Sequence, residues 1–70
     1  MTATEAKAFV LERHPTAKAE PITLADGRIV IEINDYMNPY IYIDGNDVPW
    51  LSVAETEDLA WIKAAKRVEN

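Results

Sequence analysis

The stretch RIVIEI (residues 28–33) is the clearest strand in the chain, and it decides which fold the rest of the sequence can form. Isoleucines occupy every second position, which is the period of a strand whose two faces differ. We expect the face formed by Ile29, Ile31 and Ile33 to pack on a core. The opposite face begins with Val30 and Glu32.

The segments on either side of RIVIEI predict two more strands. Upstream, residues 17–23 are predicted to form a first strand, which should lie at a sheet edge or be irregular because Pro21 has no N–H to donate. An Asp-Gly pair at 26–27 joins the two strands by a tight turn. Downstream, YIYID (residues 40–44) forms a third strand, and its core face carries Ile41 and Ile43. We expect a turn over residues 44–47 to end it.

Capping motifs predict a helix at each end of the chain. Thr2 and Glu5 fit the S/T-x-x-E capping box, and the helix that follows should run over residues 3–13, ending before a proline. A second box, formed by Ser52 and Glu55, predicts the start of a final helix. That helix carries acids in its first turns and bases near its end, as the helix dipole favours.

The order helix, strand, strand, strand, helix predicts an α+β fold. Residues 1–70 form a single domain of two layers, with a three-stranded antiparallel sheet and both helices on its isoleucine face. The other sheet face would then be left to water or to a partner. A chain this short has a small core, and with no cysteine it has no disulfide to reinforce it.

The charge of the chain is unevenly distributed. The net charge is −5, and residues 29–62 contain seven acids and no lysine or arginine. This stretch argues against direct nucleic-acid binding, which needs basic side chains. It favours a basic protein partner if the acids converge in space. The alternative is an ordinary acidic surface that keeps a small protein soluble.

The sequence offers few residues for catalysis or metal binding. His14 is the only histidine, and the two glycines are far apart, so a nucleophile–base pair and a phosphate-binding loop are both unsupported. We expect a protein that is not an enzyme and has no cofactor or metal. No apolar run reaches the length of a signal peptide or a membrane span, so we expect a cytoplasmic protein without membrane contact.

The segment NDYMNPYIYIDGND (residues 34–47) holds all three tyrosines of the chain. Tyrosines beside carboxylates on a rigid strand suit a protein interface, because tyrosine supplies contact area at low entropic cost. The alternative is that they only shield an exposed sheet. The candidate partner-binding residues are Glu32, Asp35, Tyr36, Tyr40, Tyr42, Asp44 and Asp47.

Two resemblances bear on function. The order of elements is that of double-stranded RNA-binding domains, and KAAKR (residues 63–67) resembles the basic helical motif of that family. In that family the basic cluster opens the last helix, whereas here Glu55, Glu57 and Asp58 open it. This resemblance therefore implies a degenerate module without the RNA-binding surface.

The second resemblance is to small accessory proteins of bacteriophages and prophages. It is carried by AKAFVLERHPTA (residues 6–17) and AWIKAA (residues 60–65), which are similar to the opening and the final helix of such proteins. The resemblance implies an anti-CRISPR-like inhibitor that binds a basic, nucleic-acid-handling defence protein in a bacterial host cell. The alternative is a structural or assembly homodimer that pairs through its exposed sheet face or a strand edge.

Overall fold

The computed structural model describes residues 1–37, 42–43, 46–47 and 50–69. It confirms the α+β class, with a helix, a three-stranded antiparallel sheet and a second helix. The elements in chain order are α1 (Ala3–Arg13), β1 (Lys18–Thr23), β2 (Ile29–Asn34), β3 (Tyr42–Ile43), β4 (Asn46–Asp47), β5 (Trp50–Ala54) and α2 (Glu57–Glu69).

The first helix begins and ends as its sequence predicts. The Thr2 hydroxyl accepts the Glu5 N–H at 3.2 Å, and the Glu5 carboxylate accepts the Thr2 N–H at 2.8 Å, so both bonds of the capping box form. The hydrogen bond from the Thr2 backbone N–H, followed by one from the Thr2 side chain, lowers the pKa of the Glu5 carboxyl. The buried face of the helix carries Ala6 and Val10. A short helix of this kind depends on such packing, because it is marginal in water by itself.

The central strand of the sheet is β2, which pairs antiparallel with β1 on one side and β5 on the other. The prediction that Pro21 puts its strand at an edge is confirmed, since β1 is the outermost strand on its side. The turn between β1 and β2 uses Gly27 at φ 90°, a conformation that costs glycine little. The Asp26 carboxylate accepts the Arg28 N–H at 3.0 Å and fixes this turn.

The predicted third strand over residues 40–44 is wrong as a member of this sheet. The third strand is β5, whereas β3 pairs with β4 in a separate two-stranded ladder. The alternation in YIYID is real, but alternation does not say which strand a segment pairs with. Leu51, Ser52 and Ala54 of β5 are buried and occupy the place assigned to YIYID. The predicted core contacts of Ile41 and of the Ile43 side chain lie outside the described residues.

The predicted start of the second helix is also wrong. The cap is Thr56, whose hydroxyl accepts the Leu59 N–H at 3.2 Å, and the helix begins one residue later. Ser52 lies in β5, where its buried hydroxyl donates to the Ala60 carbonyl oxygen at 2.6 Å. A capping box is a local pattern, so it cannot reveal that a serine is used in a tertiary contact between a strand and a helix.

Both helices pack on the sheet face that carries Ile33, as predicted. Ile33 is fully buried and Ile31 packs against the core, but Ile29 is 65% exposed because it lies at the end of the sheet. The isoleucine stripe is therefore part of the core over only two of its three positions. The buried core residues are Ala6, Val10, Ala17, Ile33, Leu51, Ala54, Ala60, Trp61, Ala64 and Ala65.

Candidate functional site

The second face of the sheet is not left open along β2. Val30 is 5% exposed, Glu32 is 9% exposed and Asn34 is fully buried. The expectation that Val30 and Glu32 face water or a partner is therefore wrong. Burial of the polar side chains of Glu32 and Asn34 is tolerated because they hydrogen-bond to each other, which offsets the loss of hydrogen bonds to water.

The Glu32 carboxylate accepts hydrogen bonds from side chains of this chain. Its Oε1 accepts the Asn34 side-chain amide at 2.9 Å and the Tyr36 hydroxyl at 3.0 Å. The same Asn34 amide also donates to Glu20 at 3.3 Å, and Lys18 lies 3.0 Å from Glu20. Hydrogen bonds from Lys18, and then from Asn34, lower the pKa of Glu20. Glu32 therefore serves an internal network.

Tyr36 stands at the edge of this network and is 55% exposed. Its ring is accessible to a partner, while its hydroxyl is held by Glu32. That hydrogen bond, followed by desolvation, raises the pKa of Tyr36 above 10.0. Tyr36 is thus a candidate residue that is anchored to Glu32 by its hydroxyl and still exposes its ring at the surface.

We expect the stability of the protein to fall above about pH 10 in a way that depends on Tyr36. The folded-state pKa of Tyr36 is raised, so its contribution is present below the unfolded pKa and is lost as pH rises through the folded pKa. Absorbance titration at alkaline pH should show a late-ionising tyrosine component, which disappears in Tyr36→Phe. If Tyr36→Phe leaves the titration curve of the latest tyrosine unchanged, the Tyr36–Glu32 bond is not formed.

Asp35 is almost completely enclosed, at 1% exposure. Its Oδ1 accepts a hydrogen bond from the Thr16 hydroxyl, and its Oδ2 lies 3.8 Å from Nδ1 of His14. These contacts tie the end of β2 to the segment between α1 and β1. We therefore assign Asp35 a role in holding the fold, in contrast to the surface acid that the sequence pattern suggested.

Two of the remaining candidates, Tyr42 and Asp47, lie in the small β3–β4 ladder. Tyr42 and Asp47 are directly paired across that ladder. Tyr40 and Asp44 lie outside the described residues. The seven candidates thus fall into four groups. Glu32 and Asp35 are buried, and Tyr36 is half-exposed. Tyr42 and Asp47 are paired across two strands, and the structure does not describe the other two.

A second group of acids occupies the other end of the sheet. Glu55 follows the last residue of β5, and Glu57 and Asp58 lie in the first turn of α2. All three are exposed, and we refer to these three residues as the acidic end. β2 and β5 run antiparallel, with Ile31 beside Ala54 and Asn34 beside Trp50. The acidic end and Asp35 therefore lie at opposite ends of the sheet, so the acids that the structure describes within residues 29–62 do not all converge.

The acidic end borders a cavity of about 440 Å³ between the first turns of the two helices. Trp61 forms part of its wall, where the indole N–H donates to Glu57 at 3.0 Å. The Lys7 ammonium lies 5.5 Å from the centre of the Trp61 ring. The sequence pattern missed this acidic surface as a candidate, because acids in a first helical turn are explained by the helix dipole alone.

Comparisons of the chain with protein-family models, with curated proteins and with solved structures find no match. Among the described residues, no group of three or more histidine, aspartate and glutamate side chains could hold a metal ion. No helix in that part of the chain is long and apolar enough to cross a membrane. What the fold and the charges define is a small α+β domain with an acidic end.

Proposed function

We propose that this protein is a small, non-catalytic inhibitor that binds a basic, nucleic-acid-handling protein of host defence, as anti-CRISPR proteins do. The observation that carries the proposal is the acidic end, where three exposed acids lie together within a stretch, residues 29–62, that contains no base. A negatively charged surface speeds the encounter with a positively charged partner and repels nucleic acid, which is negatively charged and competes for that partner.

The acidic end supports this proposal better than Glu32 and Asp35 do. Its three acids are exposed, whereas Glu32 and Asp35 are buried and contact donors of their own chain. An exposed carboxylate can meet a partner's arginine without breaking a bond inside the fold. The residues that we assign to partner contact are therefore the acidic end together with Tyr36, Tyr40, Tyr42, Asp44 and Asp47.

Neutralising two acids of the acidic end should weaken partner capture without unfolding the protein. We expect Glu55→Gln with Asp58→Asn to lower affinity by about tenfold or more at low salt, because long-range attraction falls with each charge removed. Glu57 is left unchanged because its side chain bonds to Trp61. The measurement is affinity capture from host lysate, with mass spectrometry of the bound proteins, followed by binding kinetics with the purified partner.

The matched control is Glu12→Gln with Glu69→Gln, which removes two exposed acids elsewhere on the surface. This control should bind like the original chain. A second test variant, Tyr42→Ala with Asp44→Lys, reports on the β3–β4 segment. Recovery of no basic nucleic-acid-handling protein, or equal binding by the control and both test variants, would exclude the proposed function.

A further inference from the structure

A buried gap separates two polar atoms where the end of α1 meets the end of β2. Nδ1 of His14 and Oδ2 of Asp35 are both enclosed, and neither has a hydrogen-bond partner within the described part of the chain. The two atoms lie 3.8 Å apart, which is beyond the ordinary range of a hydrogen bond. Buried polar atoms are almost always paired, so two unpaired ones at this separation call for an explanation.

Other contacts bring these two side chains together. The Asp35 carboxylate accepts a hydrogen bond from the Thr16 hydroxyl through its other oxygen, Oδ1. The backbone of His14 is fixed on both sides: its N–H donates to the Val10 carbonyl oxygen at 2.7 Å, and its carbonyl oxygen accepts the Ala17 N–H at 2.9 Å. The fold therefore holds the imidazole beside the carboxylate, while the two nearest atoms still lack a hydrogen bond.

A proton on Nδ1 would fill this gap. The imidazolium form of histidine donates from both ring nitrogens, and a neighbouring carboxylate favours that charged form. His14 is also the C-terminal cap of α1, where the helix dipole favours a positive charge. Burial opposes the charge, but the His14 side chain is 19% exposed and keeps part of its contact with water. The Asp35 side chain is 1% exposed and depends on a protein donor.

Charged groups on the elements around this contact have partners of their own. On α1, the Arg13 guanidinium donates to the Phe9 carbonyl oxygen at 3.2 Å and lies over the Phe9 ring. On β1, Lys18 lies 3.0 Å from a carboxylate of the same strand. On α2, the Arg67 guanidinium lies 5.0 Å from the centre of the Trp50 ring. The buried carboxylate is therefore the charged group that we assign to the imidazole.

We propose that protonated His14 and ionised Asp35 form a pH-sensitive clasp that joins the end of α1 to the end of β2. In the charged state Nδ1–H donates to Oδ2, and the gap closes to hydrogen-bond distance. The stabilisation is complete when the imidazole is charged, at about pH 5, and is lost as pH rises to about 8 and the imidazole becomes neutral. The proposal goes beyond the proposed function, because the clasp acts on the fold whichever partner is bound.

The first test is an NMR titration of the histidine signal, which is unambiguous because His14 is the only histidine of the chain. We expect the midpoint in the folded protein to lie at least about half a pH unit above that of Asp35→Asn and above that of the urea-unfolded chain, a threefold difference in proton affinity. The amide oxygen of Asp35→Asn can still accept from Thr16. Arg13→Gln removes a neighbouring charge from the same helix end and should not lower the midpoint.

The second test is urea denaturation at pH 5.5 and pH 8. Between these values the unfolding equilibrium constant should rise at least about twofold more in the original chain than in His14→Gln. This comparison cancels the titration of groups that both chains share. If Asp35→Asn does not fold by circular dichroism, the unfolded chain and His14→Gln remain as references.

Three results would each overturn the proposal. The first is a histidine midpoint that Asp35→Asn leaves unchanged, which would assign the effect to the helix dipole. The second is a midpoint no higher in the folded protein than in the urea-unfolded chain. The third is an equal pH dependence of stability in the original chain and in His14→Gln.

Discussion

Replacing Ile33 by alanine should remove about 3 to 4 kcal/mol of the free energy of unfolding, a large fraction of the total for a domain of this size. Ile33 lies in the central strand, is fully buried and contributes to the core shared by both helices. A domain of this size has roughly 4 to 10 kcal/mol in total. We therefore expect Ile33→Ala to be substantially unfolded at 37 °C, measured by thermal and urea denaturation.

The matched control for Ile33→Ala is Ile29→Ala in the same strand and on the same face. Ile29 is 65% exposed, so its truncation should cost less than about 1 kcal/mol. The sequence pattern alone treats the two isoleucines alike. Equal destabilisation by both substitutions would contradict the burial that the structure assigns to them.

Asp35→Ala should be the most destabilising substitution of a polar residue, with a cost of about 3 kcal/mol. The change leaves the Thr16 hydroxyl without its acceptor and removes the carboxylate beside His14. Asp35→Asn should cost less, because its amide oxygen can still accept from Thr16. Urea denaturation of the two variants measures this difference.

The control for Asp35→Ala is Asp58→Ala, which removes an exposed acid from the first turn of α2. Its cost should stay within about 1 kcal/mol, the usual size of a favourable charge at a helix N-terminus. A loss of stability in Asp35→Ala no larger than in Asp58→Ala would show that Asp35 is a surface residue, as the sequence pattern first suggested.

The two helices show when a local sequence motif predicts the start of a helix and when it does not. The Thr2–Glu5 box predicted the start of α1 because both of its hydrogen bonds lie within four residues. The same motif at Ser52 and Glu55 failed, because Ser52 bonds to Ala60 instead. Nothing in the motif distinguishes the two cases, since the second depends on a helix that packs over the strand.

The candidate site shows the same limit. Position in the chain placed Glu32 and Asp35 among the surface acids, while the structure buries both. Asp35 accepts a hydrogen bond from Thr16, which lies in another segment of the chain, whereas Glu32 accepts one from its near neighbour Asn34. Conversely, the sequence pattern explains the acidic end as an electrostatic feature of a helix start. Exposure depends on which residues cover a side chain, and those residues come from other parts of the sequence.

The sequence by itself determined the α+β class, the extent of α1, the edge position of Pro21 and the base-free stretch of residues 29–62. These features follow from periodicity, capping chemistry, the missing N–H of proline and composition. Only the tertiary structure decided that β5 completes the sheet, that Asp35 is buried and that Ser52 donates to Ala60. The physical reason is that strand pairing, burial and hydrogen bonds between elements depend on residues far apart in the chain. A local sequence pattern cannot predict such contacts.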